Sequence, residues 1–232
     1  MDFANRSIVV TGGTGALGTA VVGALLQHGA RCVVPYVHEG EMQHFAHRSH
    51  KDIVLVPVRD LADEADVGKL YAQAGAPLWA SIHIAGGFAM GKVAETGKAA
   101  LMAQIEQNLV SCFLCCRAAV KAFGGNGGRI VNVAARAALE WRSGAGMSGY
   151  AIAKAGVAVL TTTLAEETAK DGVLVNAVAP SIMDTPANRA AMPKADHAAW
   201  PKVEEVAATI LFLASPDNRV TRGAVVPVYG KA

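Results

Sequence analysis

A short apolar run, Ser7-Ile8-Val9-Val10, leads directly into Thr11-Gly12-Gly13-Thr14-Gly15-Ala16-Leu17-Gly18, and apolar residues then recur at helical spacing through Leu25 and Leu26. Strand, glycine turn and helix in that order open a βα unit suited to a dinucleotide. Glycine admits positive φ and lets the backbone come close, so amides at the start of the helix can point at a pyrophosphate. A glycine pattern alone is a weak signal; its place between a strand and a helix gives it meaning.

The alternation continues. Further strands are expected at Arg31 to Tyr36, Ile53 to Pro57, Leu78 to Ile84, Arg129 to Ala134, Leu174 to Val178 and Ala224 to Val228. Helices are expected from about Thr96 to Phe123, around Tyr150 to about Lys170, and near Val203 to Ala214, with an irregular segment from Pro180 to Trp200. Strands alternating with helices imply a parallel sheet covered on both faces, with ligands at the carboxyl ends of the strands. The expected fold is α/β, a Rossmann-like doubly wound parallel sheet forming a single domain over residues 1–232, with no linker or composition break to divide it.

Composition narrows the function. The chain has 52% hydrophobic residues, 24 glycines, 17% charged residues and a net charge of +2, which describes a compact domain without a basic face for nucleic acid. No apolar run is read as a membrane span, and Met1-Asp2-Phe3-Ala4 lacks the basic start and apolar core of a signal peptide. The expected location is the cytoplasm. Cys112, Cys115 and Cys116 sit inside an apolar helical run and read, with Cys32, as small core residues rather than a redox pair. His44, His47 and His50, with Glu41 nearby, lie in a polar segment that reads as a solvated helix and turn, and no metal is expected.

Tyr150 and Lys154 are four residues apart and share one helix face, in what reads as the middle of a helix. A cation held beside a phenol favours the phenolate, lowering a pKa that is otherwise near ~10 and fitting the hydroxyl for general acid and base work. The spacing by itself also fits an ordinary amphipathic helix. The ribose end of the cofactor site is less explicit. An acid at the end of the second strand selects NAD and a nearby Arg selects NADP. Pro35-Tyr36-Val37-His38 offers neither, which tips the expectation slightly towards NADP, with Glu39 close enough in sequence to reverse it.

Taken together these motifs resemble the short-chain dehydrogenase/reductase family over nearly the whole chain. Thr11, Gly12, Thr14, Gly15, Ala16, Leu17 and Gly18 match its cofactor turn, with Ala16 where the commonest version has a glycine. Asp60 matches the acid that contacts adenine, and His83-Ile84-Ala85-Gly86 stands in for the family's Asn-Asn-Ala-Gly, so that Ala85 and Gly86 are implied cofactor contacts. Asn108 matches the helix Asn that holds a proton-relay water, and Tyr150 and Lys154 match the catalytic pair. Pro180, Ser181 and Thr185 fall in the segment implied to close over the nicotinamide. The resemblance implies hydride transfer between NAD or NADP and a small-molecule carbonyl, quinone or imine-like acceptor, with Tyr150 giving the proton. Lys154 is implied to bind the nicotinamide ribose and hold down the Tyr pKa. It also implies a homodimer or homotetramer built on the long helices.

One position departs from the pattern. Aligning Gly128-Arg129-Ile130-Val131-Asn132-Val133 on the family's fifth strand puts Ala135 where a catalytic Ser usually stands. Losing one preorganised donor to an oxyanion typically costs about 10²- to 10³-fold in rate. Ser143 and Ser148 lie in the following loop, although Ser148 is better suited to capping the helix start. The segments around Ala134 to Glu140, Gly146-Met147, Asp184 to Arg189 and Met192-Pro193 are locally similar to the family's dihydropteridine reductase branch, which also lacks the Ser and reduces a quinonoid pterin. Arg136 and Arg189 are together candidates to meet an acidic or carbonyl-rich substrate. The alternative function is a cofactor-binding redox sensor without turnover, which Ala135 and His83 favour and Tyr150, Lys154 and Asn108 disfavour.

Overall fold

The computed structural model describes residues 1–232. Seven strands form one wholly parallel sheet: β1 (Ser7–Thr11), β2 (Arg31–Tyr36), β3 (Ile53–Pro57), β4 (Leu78–His83), β5 (Gly128–Val133), β6 (Val173–Pro180) and β7 (Val225–Val228), in the spatial order β3-β2-β1-β4-β5-β6-β7. The order reverses at β1. A crevice therefore opens between the carboxyl ends of β1 and β4, because the chain leaves those two strands in opposite directions.

Side chains alternate across each strand, so β1 sends Ile8 and Val10 to one face and Val9 to the other. Against Ile8 and Val10 pack α1 (Ala16–Gln27), through Leu17, Val21 and Leu25, and α9 (Val203–Ala214), through Val206, Ile210 and Leu213. The other face is covered by α3 (Glu64–Ala72), α5 (Ser111–Phe123) and α7 (Ser148–Glu167), through Leu70, Cys115, Phe123, Val157 and Leu164. All four cysteines are buried and free, packed as small apolar groups.

The long helix departs from its sequence expectation. α4 (Lys98–Ile105) runs into a π turn at Glu106–Val110 and then into α5 as one continuous helix, Lys98–Phe123. By length and apolar character this helix would suffice to cross a membrane, contrary to the reading of no such segment. Cys112, Cys115, Ala119 and Phe123 instead point into the core between α5 and the sheet, so the apolar face is already satisfied by tertiary packing. Of the shorter helices α2 (Glu39–His44), α6 (Arg136–Leu139) and α8 (Pro186–Ala191), α2 reaches the crevice through Glu41, and α8 lies inside the segment expected to be irregular.

A buried polar chain ties β4 to β5. Thr161 Oγ1 donates to the Val157 carbonyl (2.8 Å) and accepts from Asn132 Nδ2 (2.9 Å), which turns Asn132 Oδ1 towards His83 Nδ1 (2.8 Å). Oδ1 can only accept, so His83 donates from Nδ1 and turns Nε2 to the hydroxyls of Ser81 (2.8 Å) and Tyr71 (3.2 Å). Cys112 and Cys116 thiols also lean on Asn132 Oδ1, at 3.3 and 3.5 Å. This explains how His can replace the expected Asn at residue 83. Asn132→Leu strands His83 without its acceptor and should cost roughly 2–4 kcal/mol, readable by urea unfolding at constant m-value.

Candidate active site

α1 begins at Gly15 without a side-chain cap and without an acid in its first turn. Its leading amides therefore face a cleft of about 300 Å³ lined by the glycine turn, the end of β2 and Ala85-Gly86. The close approaches account for the glycines. Gly12 has φ +68°, and a Cβ there would sit 2.6 Å from the Ala85 nitrogen. A Cβ on Gly18 would overlap the Gly12 carbonyl, whereas one on Gly15 meets only that oxygen, at 3.5 Å. Open backbone amides at the start of a twelve-residue helix, cradled by glycines, fit a pyrophosphate.

A second cleft of about 210 Å³ shares Leu17, Ile84 and Gly86 with the first, so the two form one groove across the switch point. Tyr150, Lys154, Asn108, Ala135, Pro180 and Ser181 line it, with Phe88 and Met183 as its apolar wall. α7 starts at Ser148, placing Tyr150 in the first turn rather than mid-helix. Its ring meets Phe88 edge-on, with centroids 5.0 Å apart. Lys154, one turn on, is buried and donates from Nζ to the Val133 carbonyl at the end of β5 (2.8 Å), lying 5.9 Å from the Tyr150 ring centre.

Electrostatics here run against the sequence expectation. Burial pushes the Tyr150 hydroxyl up to about 12 and the Lys154 ammonium down to about 8. Desolvation dominates both groups, so the Tyr150 pKa stands above its ordinary value with Lys154 beside it, whose own proton is turned to Val133. Asn108 lies in the π turn, donating from Nδ2 to the carbonyls of Gly87 (2.9 Å) and Gln104 (3.0 Å) while its Oδ1 accepts from the Gly87 amide (3.3 Å). Its side chain thus fixes the loop after β4. π turns recur at functional positions because the extra residue redirects a side chain.

Several residues named from the sequence stand elsewhere. Thr11 is buried and accepts from the Ala85 amide (3.4 Å), joining the two strand ends rather than lining the groove. Asp60 is exposed and accepts from the Ala62 amide, while Val58 and Leu61 face the cleft. Thr185 caps α8 by accepting from the Asn188 amide. Arg136 pairs with Glu140 (2.6 Å) and Arg189 with Asp184 (2.5 and 2.8 Å), so neither reaches the groove. Ser143 donates to the Glu140 carbonyl, and Ser148 makes no cap bond and lies off the groove. No second hydroxyl replaces the missing serine, since Ser181 donates to the Tyr229 carbonyl (2.9 Å). His47 turns to the Thr19 carbonyl and Glu41 to Thr14, so the polar histidine segment does not converge on one point.

The short chain dehydrogenase family model matches residues 6–196, from β1 through α8. The chain belongs to that family. Cis-4-hydroxycyclohexanecarboxylate dehydrogenase of Sinomonas cyclohexanicum is 35% identical to this short chain dehydrogenase, over 98% of this chain and 96% of the relative. The 2,3-dihydroxy-2,3-dihydro-p-cumate dehydrogenase of Pseudomonas putida is 31% identical over 96% and 92%. A short-chain type dehydrogenase/reductase from Mycobacterium ulcerans superposes with a TM-score of 0.88 at 22% identity, over 100% of this chain and 90% of that one, which is a likeness of fold. The protein is a short-chain oxidoreductase, of a family that uses NAD or NADP.

Phe88 and Glu41 line this short chain dehydrogenase's groove without having been singled out as its contacts. Phe88 had a local signal, lying just past Ala85-Gly86-Gly87. Glu41 had a subtler one: it stands three residues after His38, the spacing of a capping box, which turns its side chain back towards the strand end.

Proposed function

We propose that the groove transfers hydride between a nicotinamide dinucleotide and a compact, ring-bearing, conjugated acceptor, with Tyr150 as proton carrier. The observation that carries this reading is the meeting of Tyr150, Lys154 and Asn108 in a cleft continuous with the glycine cradle. The dinucleotide supplies the hydride when bound. Gly12, Gly15 and the first turn of α1 hold its pyrophosphate, and Lys154 and Asn108 set the nicotinamide end. Tyr150 gives its proton to the acceptor, and Lys154 steadies the phenolate that forms.

Phe88 and Met183 favour an apolar ring, as do the two relatives, whose names give ring alcohols as substrates. With Tyr150 as the one free hydroxyl donor in the cleft, a quinone or quinonoid imine, which spreads developing charge through conjugation, suits the site better than an isolated ketone. Exposed Phe113, Ile152 and Val159 on α5 and α7 support assembly as a homo-oligomer.

The test is reduced-cofactor oxidation against a panel of simple ketones, quinones and quinonoid dihydropterin. Quinone or pterin turnover above ketone turnover supports the reading. Cofactor binding without turnover on any acceptor would move it to the sensor. Ala135→Ser restores a hydroxyl and should raise ketone reduction by roughly 10- to 100-fold while changing quinone reduction little. Reduction should also slow as the pH rises through about 8, where Lys154 loses the charge that steadies the phenolate. A rate profile from pH 6 to 10 checks this, and Lys154→Arg should remove the descending limb.

A further inference from the structure

Glu41 reaches out of α2 into the adenosine half of the groove, beside Tyr36 and Val37 at the end of β2. Its Oε1 accepts from the amides of Val37 (3.2 Å) and His38 (3.0 Å), and its Oε2 accepts from Thr14 Oγ1 (2.6 Å) in the glycine turn. Burial alone would raise this carboxyl, but the bonds from Thr14, His38 and Val37 hold it below the ordinary range. It is therefore an anion at neutral pH.

The geometry points to Glu41 as the residue that selects NAD over NADP in this chain, acting as a built-in anion in the place a 2′-phosphate would take. The inference rests on the dinucleotide reading above. The argument has three parts. First, the amides and hydroxyl that could receive a phosphate are already satisfied by the carboxylate. Second, no Lys or Arg lines this half of the groove to offset two anions. His38, which follows Val37 in the chain, is exposed and does not line the groove. Third, an ionised carboxylate suits a ribose bearing a free 2′-hydroxyl, which donates where a phosphate only repels. Glu39 does not share the role, since it is exposed and meets the Tyr36 hydroxyl at 3.5 Å.

The experiment is calorimetric titration of the full chain with NADH, NADPH, ADP-ribose and 2′-phospho-ADP-ribose, for the natural sequence and for Glu41→Gln and Glu41→Ala. The expected result is binding of NADH roughly 30-fold or more tighter than NADPH, from the repulsion of a divalent phosphate by one carboxylate at contact. The same ratio should hold for the ADP-ribose pair, which isolates the adenosine half. Both variants should bring the ratio within about 3-fold, mainly by gaining affinity for the phosphorylated ligands once the negative charge is gone and, in Glu41→Ala, the Val37 and His38 amides are also free. Circular dichroism keeps a folding defect separate, and Glu41→Gln preserves the side chain's size. NADPH binding as tightly as NADH in the natural sequence would overturn the inference. So would a full NADH preference persisting in both folded variants. If neither dinucleotide binds, the dinucleotide reading fails and this inference falls with it.

Discussion

Tyr150→Phe should bind reduced cofactor with near-natural affinity yet turn over every acceptor about 10³-fold more slowly, the range lost when a positioned general acid is removed. The substitution deletes one oxygen and keeps the ring that meets Phe88 at 5.0 Å, so the wall of the cleft survives. Tyr150 makes no side-chain hydrogen bond that its loss would break within the fold, and melting should move little. The two readings to compare are kcat and the dissociation constant for the cofactor. Comparable losses in both would mean that Tyr150 is a binding contact. An unchanged kcat would remove it as the proton carrier and leave Lys154, down at about 8, as the remaining group in the cleft able to give a proton near neutral pH.

Gly18→Ala should damage the protein as a whole. A single Cβ at this position would overlap the Gly12 carbonyl and press on Gly13, both backbone, so α1 must move away from the turn. That shift loosens Leu17, Val21 and Leu25 from β1 and α9 and misaims the first-turn amides. The expected cost is on the order of 3 kcal/mol, with at least a tenfold loss of cofactor affinity. Gly15→Ala is the matched control: its Cβ would meet only the Gly12 oxygen, at 3.5 Å, and stability should stay within about 1 kcal/mol. Equal melting temperatures for the two variants would sink the account of the cradle as a backbone contact between turn and helix.

The frame of this protein was legible in its sequence because it depends on local periodicity. Alternating strands such as Ser7–Thr11 and Ile53–Pro57, the glycine turn between β1 and α1, and Tyr150 four residues before Lys154 all declare themselves within a few positions. The doubly wound parallel sheet follows from that order and from the handedness of parallel crossovers. What sequence left undecided depends on long-range geometry. The π turn at Glu106–Val110 has no local signature, and only the fold shows Asn108 gripping Gly87. Thr11, Asp60 and Thr185 sit at motif positions yet spend their polar atoms on Ala85, Ala62 and Asn188. Arg136 and Arg189 find carboxylates close in sequence before either can face a substrate. Spacing predicts a Lys154 cation lowering the Tyr150 pKa, but burial reverses the direction, and Lys154 turns its proton to the Val133 carbonyl, on a strand 21 residues away. The end of β2 carries no acid of its own; the carboxylate beside it arrives from α2, as Glu41. Periodicity sets which face a residue takes; hydrogen-bond partners and desolvation are set by elements distant in the chain, and those decide the chemistry of the groove.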